Sequence, residues 1–236
     1  MCTVSFVATK DSFVLTSNRD EQTIRATHPP ERYIFENQHL YFPKDPYSGG
    51  TWFAVNENGN VLILLNGAIE KHIPLPPYNR SRGIVVLEII SDTNPSNFWN
   101  KISLENVEPF TLVLFQNLKL YQLRWDGSQK SVVELDIAHK HIWSSATLYP
   151  KEIQVERAKW FYEFVDAKPE ISDRDLLQFH QNTHTENTQN GLIINRNDVL
   201  KTLSITQVVV HKNDIEIIHK DLIDNTLHHN LMTVKR

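Results

Sequence analysis

Met1-Cys2-Thr3-Val4-Ser5-Phe6 opens the chain, and Thr16-Ser17-Asn18-Arg19-Asp20-Glu21 follows soon after. Two apolar segments, Thr3 to Ala8 and Phe13 to Thr16, flank the polar Lys10-Asp11-Ser12. That pattern predicts a tight β-hairpin. Such a hairpin returns Asn18, Arg19 and Asp20 to the neighbourhood of Cys2. A thiol, a cation and a carboxylate then share one corner of the fold.

The chemistry of that corner follows from the terminus. Removal of Met1 leaves Cys2 with a free α-amine, whose ordinary pKa is about 7.7–8.0. An amine poised near neutrality can take the thiol's proton, so nucleophile and base belong to one residue. Arg19 favours the thiolate, as a nearby cation does, and Asp20 can orient the ammonium. The alternative is that Cys2 is a small buried hydrophobe in an ordinary strand. Local chemistry leaves both readings open.

At 236 residues the chain suits a single domain spanning 1–236, long enough to bury a large core without staples. One cysteine permits no internal disulfide and no thiolate-rich metal site. A formal net charge of −4 supplies no broad field for nucleic acid or an anionic membrane. No basic region, apolar run and small-residue cleavage site stand in series at the start. Apolar runs such as Val61 to Leu65 are too short to span a bilayer. A soluble, cytoplasmic protein with a small-molecule partner is expected. Nothing in the sequence sets its oligomeric state.

Taken in order, Gln22 to Arg32 reads as surface loop, with short strands at Tyr33 to Phe35 and His39 to Phe42. Thr51 to Val55 and Asn60 to Leu65 flank Asn56-Glu57-Asn58-Gly59, a hairpin turn because Asn-Gly tolerates positive φ. A helix from Gly83 to Ile90 has Ser81 as N-cap, and a second covers Ser96 to Ile102. Thr111 to Phe115, Lys119 to Trp125, Ser131 to Asp136 and His141 to Ser144 read as one antiparallel meander. Helices follow over Pro150 to Ala167 and Ser172 to His180, then a mobile polar loop from Asn182 to Asn190. Val199 to His211 and Asp214 to Lys220 form a last hairpin, ahead of a polar tail holding His228-His229. Strands, helices, then strands again give an α+β fold with antiparallel sheets.

The paired N-terminal stretches resemble the signature of the NRDE family, also called the transport-and-Golgi-organisation-2 family. Gly49-Gly50-Thr51-Trp52, with Asn56-Glu57-Asn58-Gly59-Asn60 and a strand ending in Asn66, resembles its second signature. Arg80-Ser81-Arg82-Gly83 resembles a third. The family is similar in turn to N-terminal-nucleophile amidohydrolases such as penicillin V acylases and bile-salt hydrolases. That resemblance implies a four-layer αββα fold, two antiparallel sheets flanked by helices. It also implies that Cys2, Arg19 and Asp20 are the catalytic positions. Asn66, at a strand end, can donate its amide to an oxyanion or merely tolerate the turn. Arg80 and Arg82 can bind an anionic substrate group, but such arginines are more commonly solvated or paired with carboxylates, which is the expectation.

Two positions depart from the resemblance. Relatives carry an asparagine where this chain has Ala146, and an arginine where it has Leu203. Removing one oxyanion donor costs about 10²–10³ in turnover. The sequence thus supports a hydrolase acting on a carbon–nitrogen amide bond through Cys2. The rival is a non-catalytic carrier of a haem-like or lipid-like molecule on the same fold. Neither a cofactor nor a metal is expected. His180 and His184 have helical spacing, but Gln181-Asn182-Thr183 reads as the helix end and no third ligand has a fixed spacing. No phosphate loop or dinucleotide fingerprint is present among only seven glycines.

Overall fold

The structure, a computed structural model, describes residues 3–235. In chain order its elements are β1 (Thr3–Ala8), β2 (Phe13–Gln22), β3 (His28–Phe35), β4 (Gln38–Lys44), β5 (Phe53–Asn56), β6 (Val61–Asn66), α1 (Arg82–Ser91), α2 (Pro95–Lys101) and β7 (Phe110–Gln116). Then come β8 (Lys119–Trp125), β9 (Lys130–Leu135), β10 (His141–Ser144), α3 (Lys151–Asp166), α4 (Asp173–Asn182), β11 (Asn195–Arg196), β12 (Leu200–Val210), β13 (Asp214–Asp221) and β14 (Leu227–Thr233). They form two compact units. One takes residues 3–26 and Ala138–Thr233, the other Thr27–Ile137 and residues 234–235. Each unit holds one antiparallel sheet and two helices, as the α+β reading expects.

The first unit orders its strands β10-β1-β2-β12-β13-β14, with β11 paired to β12. β1 keeps its predicted bounds. β2 runs on past Thr16 to Gln22, because Ser17 to Asp20 are buried polar strand residues that hydropathy alternation does not flag. The hairpin closes through Thr9 and Ser12, whose hydroxyls lie 2.7 Å apart. Val7, Val14 and Val209 meet Phe161 and Val165 of α3 and Leu176 and Phe179 of α4, which fixes the helix-covered face of the sheet. α4 begins in a capping box, Ser172 and Asp175 each satisfying the other's backbone N–H.

The second unit orders its strands β3 to β9 in sequence. α1 packs on β5 and β6 through Val85, Val86, Ile89 and Ile90, all buried. Ser81 caps α1 as expected, accepting from Ile84 N at 3.2 Å. The second and third family signatures meet here backbone to backbone. Thr51 N donates to Gly83 O at 3.2 Å, and a Cβ on Gly50 would lie 2.4 Å from Gly83 C. Only glycine permits that approach. Asn56 accepts from Asn58 N and Asn60 N while its amide donates to Ile90 O at 3.0 Å, so the turn is tied to the end of α1.

Three expectations are corrected. β10 does not extend the meander; it leaves β9 and pairs with β1 in the other unit's sheet. The stretch expected to be loop from Gln22 to Arg32 contributes the start of β3, whose Pro29 and Pro30 sit at a register shift on a sheet edge. The polar tail is strand β14, whose edge position leaves Leu227 and Leu231 exposed and hides its pattern. The polar loop after α4 carries its own backbone bonds: Asn187 N donates to His184 O, Gly191 N to Asn187 O and Leu192 N to Thr183 O. Among the described residues no helix is long and apolar enough to cross a membrane.

Candidate functional site

Antiparallel register builds the candidate site. Thr3 pairs with Asn18, Val4 with Ser17 and Ser5 with Thr16. Side chains of paired residues share a face, and consecutive residues alternate. Thr3, Ser5, Asn18 and Asp20 therefore face the helices, while Val4, Ser17 and Arg19 face the other way. Cys2 lies outside the described residues. It is bonded in the chain to Thr3, as Arg19 is to Asn18.

Arg19 is 3% exposed and Asp20 2%. Arg19 Nη1 donates to Arg25 O at 3.0 Å, and its Cα partner on β12 is Ser204. On the opposite face, each Asp20 carboxylate oxygen accepts a short hydrogen bond. Tyr149 Oη donates to Oδ2 at 2.6 Å and Thr202 Oγ1 to Oδ1 at 2.6 Å. The Tyr149 ring lies under the Arg157 guanidinium, 3.5 Å from centroid to Cζ, with Arg196 at 5.3 Å. Arg157 is wholly buried and donates to Thr3 Oγ1 at 2.6 Å.

Beside this lies a second polar cluster. Asn18 Nδ2 donates to His180 O at 3.1 Å and Leu192 O at 2.7 Å, which fixes its amide orientation. Asn18 Oδ1 must then accept from His180 Nδ1, leaving Nε2 to accept from Ser5 Oγ at 2.7 Å. The imidazole is neutral. Burial, helped by the Arg157 charge, holds its pKa down to about 3. Ser5, His180 and Asn18 have the order of a hydroxyl–imidazole–amide relay, yet all three are wholly buried, so no substrate reaches them. Their work is to lock α4 and the segment before Ile194 onto β1 and β2. On the other face, His219 pairs through Nδ1 with Thr206 Oγ1 at 2.8 Å, and burial lowers its pKa to about 4.

The remaining predicted residues fall elsewhere. Asn66 closes β6 in the second unit, opposite Phe110. Arg80 and Arg82 pair with Glu88 and Glu108 at 2.8 and 3.0 Å, as expected. His180 and His184 do not converge: His184 stacks on Trp160 and pairs with Glu186. Among the described residues no group of three or more histidine, cysteine, aspartate or glutamate side chains is placed to hold a metal. Ala146 and Leu203 are buried, and Leu203 is the extra residue of a bulge in β12.

Sequence reasoning missed Tyr149, Arg157, His180 and Thr202 as parts of this network. One signal was available. Arg157 stands four residues before Phe161 on the apolar stripe of α3, and His180 four after Leu176 on that of α4. A cation or imidazole on a buried stripe marks a specific partner.

Comparison with known proteins adds the lineage. The structure superposes on a variant of conjugated bile acid hydrolase from Clostridium perfringens with TM-score 0.56 and 9% identity, over 100% of this chain and 97% of that one. It superposes on the Caenorhabditis elegans orthologue of N-acylethanolamine-hydrolyzing acid amidase with TM-score 0.61 and 8% identity, over 87% of this chain and 92% of that one. At such identities the likeness speaks for the fold, that of N-terminal-nucleophile hydrolases. No curated protein sequence matches the chain. Residues 1–219 match the Transport and Golgi organisation 2 family, and the chain belongs to that family.

Proposed function

We propose that this protein is an N-terminal-nucleophile hydrolase that cleaves a carbon–nitrogen amide bond with Cys2. The observation that carries the reading is the Thr3–Asn18 register, which sets the start of β1 against the buried Arg19-Asp20 pair. In this reading the α-amine of Cys2 takes the thiol proton and the thiolate attacks the amide carbon. The carbon–nitrogen bond breaks, the ammonium returns its proton to the leaving amine, and a thioester remains. Water, deprotonated by the amine, releases the acid and restores the thiol. Arg19 favours the thiolate, and Asp20, fixed by Tyr149 and Thr202, orients the amine side. Asn66 enters as oxyanion donor only through the family signature in which it lies.

Two experiments test this. Intact mass of natively expressed protein is expected to lack Met1; full retention removes the mechanism. A panel of acyl-amides is expected to show turnover that Cys2→Ala abolishes.

A second reading is favoured by Ala146 and Leu203. Both are buried and apolar where the family resemblance expects polar side chains. On this reading the chain carries a haem-like or lipid-like small molecule without turning it over. A ligand retained equally by the wild type and by Cys2→Ala, with no turnover on the panel, selects it.

A further inference from the structure

We infer that Arg157 is a positioning residue for the N-terminal cysteine, holding Thr3 directly and Asp20 through the Tyr149 ring. The inference rests on the hydrolase reading and extends it to a residue of α3 outside the motifs quoted above.

Arg157 is wholly buried, and its hydrogen-bond and ring partners among the described residues are neutral. Nη1 donates to Thr3 Oγ1 at 2.6 Å, Nε to Asn190 O at 3.0 Å and Nη2 to Gly191 O, while its plane covers Tyr149 at 3.5 Å. A buried cation without a carboxylate is costly to fold around. The stripe it shares with Phe161 and Val165 would be packed more cheaply by an apolar side chain. What the guanidinium supplies is geometry and charge at two places at once. One arm fixes the side chain of the residue after Cys2. Its face fixes the ring whose hydroxyl holds Asp20 Oδ2 at 2.6 Å. The segment that supplies Asn190 O and Gly191 O is held just as firmly, since a Cβ at Gly191 would lie 2.0 Å from His184 O.

The charge is felt locally, for it contributes to the depressed pKa of His180. The charged and titratable groups that bond or stack within this network are Asp20, Tyr149, His180 and Arg196, with Arg19 on the reverse face. Arg157 itself donates directly to Thr3, the residue next to Cys2.

Cys2 is the sole cysteine, so alkylation by iodoacetamide reads that thiol alone. The measurement is alkylation rate against pH on the intact chain with a free Cys2 terminus verified by mass. Arg157→Met is expected to raise the midpoint by about one unit, slowing alkylation at pH 7 about tenfold. Arg157→Lys, which keeps the charge but not the fork, is expected to fall between that variant and wild type. Val165→Ala, on the same stripe, is expected to lose stability while leaving the midpoint unchanged. Should Arg157→Met fail to fold, Arg157→Lys and Thr3→Val carry the comparison. A folded Arg157 variant with the wild-type profile overturns the inference, as does an equal shift in Val165→Ala. The readout is the thiol and not turnover. A shifted profile without any amide hydrolysis defeats the hydrolase reading and leaves the positioning role standing. Hydrolysis with an unshifted profile does the reverse.

Discussion

The helix-covered faces of the two sheets bury different things. In the second unit, Leu62 and Leu64 of β6 and Leu112 and Leu114 of β7 are apolar and buried on the face from which Asn56 bonds Ile90 O, and α1 lays Val85, Val86, Ile89 and Ile90 beside them. In the first unit the middle of the corresponding face holds Thr3, Ser5, Thr16, Asn18, Asp20, Thr202 and Gln207, all buried. α3 and α4 answer with Arg157 and His180. Apolar burial is non-directional and tolerates repacking. A buried polar group costs about 1–3 kcal/mol when left unmade, so each fixes one geometry. The second sheet is an apolar scaffold; the first, on the proposed function, is the instrument.

That contrast predicts different responses to mutation. Leu112→Ala in the apolar sheet is expected to cost about 2–5 kcal/mol by removing packed volume. Urea unfolding measures it, and the alkylation profile of Cys2 should stay in place. A shift of that profile would erase the distinction between the sheets.

Tyr149→Phe makes the complementary case. It removes the Tyr149 donor from one oxygen of a buried carboxylate, at a cost of about 1–3 kcal/mol. Cys2 reactivity is expected to change with it, because Asp20 is released. Unchanged reactivity would mean that Asp20 is a structural group.

The last contrast is a pH dependence. His180 and His219 have pKa values of about 3 and about 4 in the folded protein, held down by burial, against about 6.5 unfolded. Above pH 6.5 both are neutral in either state, and their contribution is fully present. As pH falls below 6.5 the unfolded chain binds protons that the folded one does not. Stability then declines, by up to about 1.4 kcal/mol per unit for each histidine, until pH nears the folded values. His180→Gln is expected to flatten that slope by about one proton. A slope unaffected by the substitution would contradict a neutral buried imidazole.

The scaffold was the more legible half. Its hairpin turn at Asn58-Gly59, its α1 cap at Ser81 and its apolar β6 follow from local rules about φ, capping and hydropathy. The instrument was legible only at its motif. Asn18-Arg19-Asp20 announces itself as a polar cluster at a strand end, and the register Thr3–Asn18 follows from the hairpin. Tyr149 just ahead of α3, Arg157 on it, His180 on α4 and Thr202 on β12 come from segments far from Asp20 in sequence, and no local pattern says that they meet. β14 was missed for a related reason, since an edge strand with two exposed leucines shows no alternation to read.

The central claim is that Cys2 works through its own free terminus. The direct test attaches an uncleavable extension to the N-terminus and compares it with an equal extension at the C-terminus and with Cys2→Ala. Circular dichroism confirms folding and an acyl-amide panel reads turnover. The account predicts that the N-terminal extension abolishes Cys2-dependent turnover and the C-terminal one does not. Equal activity in both extended proteins would contradict it.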